Sequence, residues 1–156
     1  MATSLFMKAV GEGSGSNKLL QLLNPSAVGV DLSAFALVSC GNACSGGTYE
    51  YMTSLGSSTL AAGATLTVCH GSFSAATPSF LNSDGSNCDL NTNYLSNGND
   101  VYALVESVGG ATISATDAST YAVVGTFGEP NDGSSSPNFQ ACGEDVRDNT
   151  FVRKDG

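Results

Sequence analysis

Apolar residues recur at every second position over short runs of this chain, and glycine with small polar residues separates the runs. That is the pattern of half-buried β-strands joined by turns. The sharpest case is 95–106. Asn97, Gly98 and Asn99 form a turn-favouring triplet that tolerates positive φ, and Val101, Ala103 and Val105 then alternate with Tyr102 and Leu104. Apolar, β-branched and aromatic residues on both sides of that run predict a central strand covered on both faces.

The remaining strands follow in order. Residues 5–10 predict a first strand, 11–17 a glycine-rich hairpin connection and 18–24 a second strand, whose Leu19, Leu20, Leu22 and Leu23 fill both faces and make it internal. After a turn over 25–30, a third strand is expected at 31–39, with Leu32, Ala34, Ala36 and Val38 on one side and Phe35 and Leu37 on the other. A loop over 40–47 leads to a fourth strand at 48–53, and 56–63 returns the chain. The fifth strand, 64–70, sets Leu66, Val68 and His70 against Thr65, Thr67 and Cys69, and the threonine face reads as the more solvated one. Residues 71–93 read as a long irregular stretch with one helical turn around 73–76, 108–119 as a polar excursion and 129–138 as a turn-rich loop. Strands at 121–128 and 149–154 complete the set. Eight or nine short strands without a long helix predict an all-β, two-sheet sandwich.

Composition narrows the setting. A chain of 156 residues makes one domain, at 5–154, with 1–4 read as a linker or added start and 155–156 as a tail. Charged residues are 12% of the chain against about 25% in ordinary soluble domains, and Gly, Ser, Thr and Asn carry the polarity. Five Lys and Arg against 14 Asp and Glu leave a formal charge of −9, so phosphate counterion release cannot drive binding and nucleic acid is a poor partner. No apolar run reaches the 18 residues of a membrane span, and membrane insertion is not expected.

The five cysteines are Cys40, Cys44, Cys69, Cys88 and Cys142. With this surface they place the chain in an oxidising compartment, extracellular or at the cell surface. Closing Cys69 to Cys88 would constrain about 20 residues, worth about 3 kcal/mol on the chain-entropy model, and is the favoured bond. Cys40, Cys44 and Cys142 allow either a local bridge or a longer one to Cys142. A zinc site is disfavoured because only Cys40 and Cys44 are closely spaced.

Catalytic constellations are thin. The one imidazole, His70, adjoins Cys69 and lacks a nucleophile-elbow signature, so it reads as a hydrogen-bonded strand or loop residue. The 11–17 glycines do not have phosphate-loop spacing. Asp84, Asp89, Glu129 and Asp132 are carboxylates in predicted loops, which read as solvating groups rather than a glycosidase pair. As oxygen donors on turns, Asp84, Asn87 and Asp89, with Glu129, Asn131 and Asp132, are the candidate calcium ligands, and calcium is the one cofactor entertained. Tyr49, Tyr51 and Tyr94 offer stacking faces for a sugar or ordinary packing.

Taken in order, the stretches 11–24, 31–40, 59–71, 88–105, 123–130 and 149–154 resemble the lamin-tail domain family, closest to its secreted microbial and algal members. The resemblance spans 5–154 and implies an immunoglobulin-like sandwich with a binding or scaffolding role beside other domains. Where those members carry facing acidic residues in the first two strands, this chain has Ala9 and Gln21, and a late-strand Asp is replaced by Ala122. A Trp before the final Cys-Gly appears as Phe139, ahead of Cys142 and Gly143. The expectation is a non-catalytic extracellular binding, adhesion or assembly module from a larger secreted or cell-surface protein. Its partner is a protein or glycan surface or a second copy of itself, and the alternative is a calcium-assisted carbohydrate-binding module.

Overall fold

The computed structural model describes residues 5–13, 15–73, 88–95, 100–128, 140–141, 144–145 and 150–152. The protein is an all-β sandwich. Its strands are β1 (Phe6–Glu12), β2 (Lys18–Leu23), β3 (Val30–Asp31), β4 (Phe35–Cys40), β5 (Tyr51–Ser54), β6 (Thr59–Leu60), β7 (Thr65–His70), β8 (Leu90–Thr92), β9 (Val101–Ser107), β10 (Tyr121–Phe127), β11 (Gln140–Ala141), β12 (Glu144–Asp145) and β13 (Thr150–Val152). Nine of them form two large sheets, in the orders β13-β1-β2-β7-β8 and β10-β9-β4-β5, while β3 with β6 and β11 with β12 make small ribbons. All pairs are antiparallel except β7 with β8, which run parallel.

Alternation builds the core. Val10, Leu20, Leu22 and Val68 from the first sheet meet Phe35, Leu37, Tyr102 and Leu104 from the second in one cluster, closed by Leu5, Leu32, Leu55, Leu60 and Leu95. β9 is internal and every residue from Val101 to Val105 is buried, as its two-sided apolar run predicts. Its outer neighbours explain why: Ala36, Val38, Ala103 and Val105 face away from the sandwich core and are covered by Ala115 and Tyr121, with Ile113 and Tyr49 beside them. The polar excursion after β9 is therefore a lid on that outer face. β2, flanked by β1 and β7, is likewise internal.

Several expectations are corrected. The third strand does not begin at residue 31. Asp31 accepts a hydrogen bond from the Ser33 backbone N–H at 2.9 Å, which caps a 3-10 turn over Leu32–Ala34, and β4 starts at Phe35. The turn breaks the period-2 phase, so Leu32 joins Phe35 and Leu37 in the sandwich core instead of opposing them. Asp117 repeats the device, accepting from the Ser119 backbone N–H at 3.1 Å just before β10. The fourth strand is Tyr51–Ser54 rather than 48–53, and the first continues to Glu12, which shortens the hairpin connection. The threonine face of β7 is solvated only at Thr65: Thr67 and Cys69 are buried, where Cys69 packs with Leu19, Phe73 and Cys88. β8, unforeseen in the irregular stretch, is held by Asp89, whose backbone N–H donates to the Thr67 carbonyl at 2.8 Å while its carboxylate accepts from the Thr67 N–H at 2.7 Å. The turn at 97–99, most of the expected helical turn at 73–76 and the loop at 129–138 lie outside the described residues.

Candidate functional site

On one flank of the sandwich the edge strands β5 and β8 belong to different sheets and approach without backbone pairing. They are bridged by side chains: the Thr53 and Thr92 hydroxyls lie 2.8 Å apart. Tyr51 opens β5 and Tyr94 follows β8, and their rings stack with centroids 4.8 Å apart and planes 9° from parallel. The Ser39 hydroxyl donates to the Tyr94 carbonyl at 3.2 Å, tying this pair to β4.

Beyond β4 the chain turns sharply through the Cys40–Cys44 disulfide loop. Asn42 and Cys44 adopt φ of +51° and +56°, which side chains other than glycine rarely do, and Gly47 donates to the Cys44 carbonyl at 2.7 Å. Two carboxylates hold this loop. Asp100 Oδ1 accepts from the Asn42 N–H at 3.1 Å, and Glu50 Oε2 accepts from the Gly41 N–H at 3.4 Å. Asp100 is buried, whereas Glu50 is exposed. Together Ser39, Glu50, Tyr51, Asn93, Tyr94 and Asp100 bound a cleft of about 380 Å³. A second hollow of about 370 Å³, over Thr53 and Thr92, shares Asn93 and Tyr94 with it. The two form a groove along the join between the sheets.

A buried charge network lies behind the groove. Lys18 Nζ sits 3.0 Å from Glu12 Oε2 and donates to the Gly13 carbonyl at 2.7 Å, and the Tyr102 hydroxyl donates to Glu12 Oε1 at 3.1 Å. Burial pushes the Glu12 carboxyl up to about 7; the pull of Lys18 and the Tyr102 hydrogen bond oppose the rise, and the charge of Asp100 adds to it. Asp100 therefore belongs to both the groove wall and the field that Glu12 feels.

Of the residues singled out from sequence, Tyr51 and Tyr94 come together in the groove and the others are dispersed. Asp89 clasps β7 and β8, one oxygen of its carboxylate accepting from the Thr67 backbone N–H. Asp84, Asn87, Glu129, Asn131, Asp132 and Cys142 lie outside the described residues. Cys69 is joined to Cys88, the pair that loop closure favoured, and the open choice at Cys40 and Cys44 resolves to the local bridge. Those four sulfurs are thereby removed from any zinc site. His70 Nδ1 accepts from the Ser72 backbone N–H at 3.0 Å. Tyr49 joins the outer apolar cluster and lines a separate hollow of about 180 Å³ with Ala115, Tyr121 and Val123. Burial raises its phenol above the usual range, as does the neighbouring Tyr121.

No protein-family model and no curated protein matches the chain. The lamin-tail resemblance accordingly rests on motif order. Ala9 and Gln21 are register partners on β1 and β2, and Gln21 donates to the Thr67 hydroxyl at 3.2 Å. Among the described residues no group of three His, Cys, Asp or Glu converges on a metal position.

Glu50, Asn93 and Asp100 were not evident from sequence. Asp100 immediately precedes β9, and its proximity to Glu50 depends on the pairing of β9 with β4 and of β4 with β5.

Proposed function

We propose that this chain is a non-catalytic binding module of an extracellular or cell-surface protein, of the lamin-tail type, acting in adhesion or assembly. The observation that carries the reading is the groove between the sheet edges, a polar, aromatic-walled depression on a sandwich stapled by two disulfides. The bridges support an oxidising location, and no helix among the described residues is long and apolar enough to cross a membrane. Rigid sheets present the groove walls, which is how recognition sites are held in β-sandwiches. The calcium-assisted glycan reading is the alternative; of its candidate ligands Asp89 is the one described, and one of its carboxylate oxygens accepts from the Thr67 N–H.

The test pairs sedimentation velocity of the unreduced chain over a wide concentration range with a screen of extracellular proteins and glycans, in calcium and in EDTA. Reversible association or saturable binding that maps to the groove is the expected result. A glycan signal lost in EDTA would transfer support to the calcium-assisted alternative. Turnover in a panel of glycoside and ester substrates would overturn the non-catalytic reading.

A further inference from the structure

We infer that the groove is a receptor for a basic side chain, a guanidinium presented by an extended segment of a protein partner. This rests on the binding-module reading and specifies its ligand.

The first support is shape. The cleft beside Asp100 and the hollow over Thr53 and Thr92 share Asn93 and Tyr94, so the depression runs on along β5 and β8 instead of ending as a single pit. An elongated groove at a sheet join accommodates a stretch of extended backbone with one side chain in the deeper cleft.

The second is chemistry. Glu50 and Asp100 each commit one oxygen to a loop N–H, which fixes the carboxylates in place at the cleft wall. The named lining residues include no Lys or Arg, and the chain carries −9 overall, so the cleft lies in a field that draws cations in and repels acidic ligands. Tyr51 and Tyr94 stack on each other yet remain 44% and 42% exposed, leaving aromatic surface at the mouth. A planar guanidinium uses all three features: it pairs with a carboxylate through two N–H groups, it stacks on a tyrosine face, and it sheds water more readily than an ammonium. A neutral sugar would use the ring and the hydrogen bonds but draw nothing from the charge.

The experiment titrates acetyl-Gly-Arg-Gly-amide into the isotope-labelled full chain and follows amide shifts, with the isosteric citrulline peptide as the uncharged control. Saturable shifts at residues 50, 51, 93, 94 and 100 with the arginine peptide, and none with the citrulline peptide, are expected. Glu50→Gln, at an exposed position that leaves the core intact, should weaken the arginine peptide about threefold, the size of a partly exposed charge pair. Tyr94→Leu should weaken it as well. Equal response to the two peptides, unchanged affinity in Glu50→Gln, or shifts confined to residues outside the groove would each overturn the inference. Saturable glycan binding or self-association without an arginine response overturns this inference and leaves the module reading standing; loss of all three overturns both.

Discussion

Tyr102 of β9 donates its hydroxyl to Glu12 of β1 at 3.1 Å, a hydrogen bond that crosses the sandwich from one sheet to the other with both side chains buried. Lys18, on the strand paired with β1, completes the group. A polar link inside an apolar core helps set the two sheets against each other, because a slip between them takes the Tyr102 hydroxyl away from the Glu12 carboxyl and leaves it with Lys18 alone. Tyr102→Phe keeps the ring and removes the link. It should cost about 1–3 kcal/mol, read as a lower urea midpoint at unchanged slope. An unchanged midpoint would show that the hydrogen bond does not contribute.

The same carboxyl makes stability pH-dependent in an unusual direction. Glu12 is raised from 4.5 to about 7 chiefly by burial, so the folded protein retains a proton that the unfolded chain has released within that window. The contribution is full below pH 4.5 and is lost as the pH climbs through about 7, amounting to about 3 kcal/mol. Asp31 and Asp117, held below the ordinary range by their Ser33 and Ser119 hydrogen bonds, act oppositely and only in more acidic solution. Urea midpoints measured from pH 4.5 to 7.5 should fall with rising pH, and Glu12→Gln should flatten the decline. An equal slope in the variant would assign the effect elsewhere.

The two bridges differ in what they hold. Cys69–Cys88 closes 19 residues and anchors β8 beside β7, whereas Cys40–Cys44 closes four. On the chain-entropy model the first is worth about 3 kcal/mol and the second about 2. Replacing Cys69 and Cys88 together by alanine should lower the melting temperature more than replacing Cys40 and Cys44. The second pair of replacements should instead disturb the amide resonances of Gly41 and Asn42, whose N–H groups reach Glu50 and Asp100.

Asn24 is a buried polar clasp between separate segments. Fully buried, its amide donates toward the carbonyls of Val28, Leu60 and Ala61 at 2.8 to 3.0 Å, and its oxygen accepts from the Ser26 backbone and hydroxyl. It thereby joins the turn after β2 to the ribbon of β3 and β6. Asn24→Ala should cost about 3 kcal/mol in a denaturant titration, and Asn24→Asp more, since a carboxylate would face three carbonyl oxygens. A loss below that of an ordinary surface substitution would contradict this role.

Most of the sandwich was legible in the sequence because period 2 survives in the strands that make its core. β2, β7 and β9 lie within one or two residues of their expected spans, and β9 is central for the reason its residues suggest. The misread segments are those where a side chain competes with the ladder. Asp31 followed by Ser33 caps a turn inside an otherwise alternating run, and that Asp-x-Ser spacing, repeated at Asp117 and Ser119, was available as a signal. β8 was invisible because three residues carry no periodicity and their place is set by Asp89 and the Cys69–Cys88 bridge.

The candidate site divides differently. Acidic turns were conspicuous in sequence, yet the described groove is built from Glu50, Asn93 and Asp100, which lie in three separate segments and become neighbours only through strand pairing. By itself the sequence determined the all-β class, the internal strands and the oxidising chemistry of the cysteines, since these follow from local periodicity and composition. The tertiary structure alone decided that the outer face of β4 and β9 is roofed, that Glu12 is buried beside Lys18 and Tyr102, and that two tyrosines stack beside a fixed pair of carboxylates. Those are long-range relations, and no local pattern encodes which distant backbone a side chain will meet.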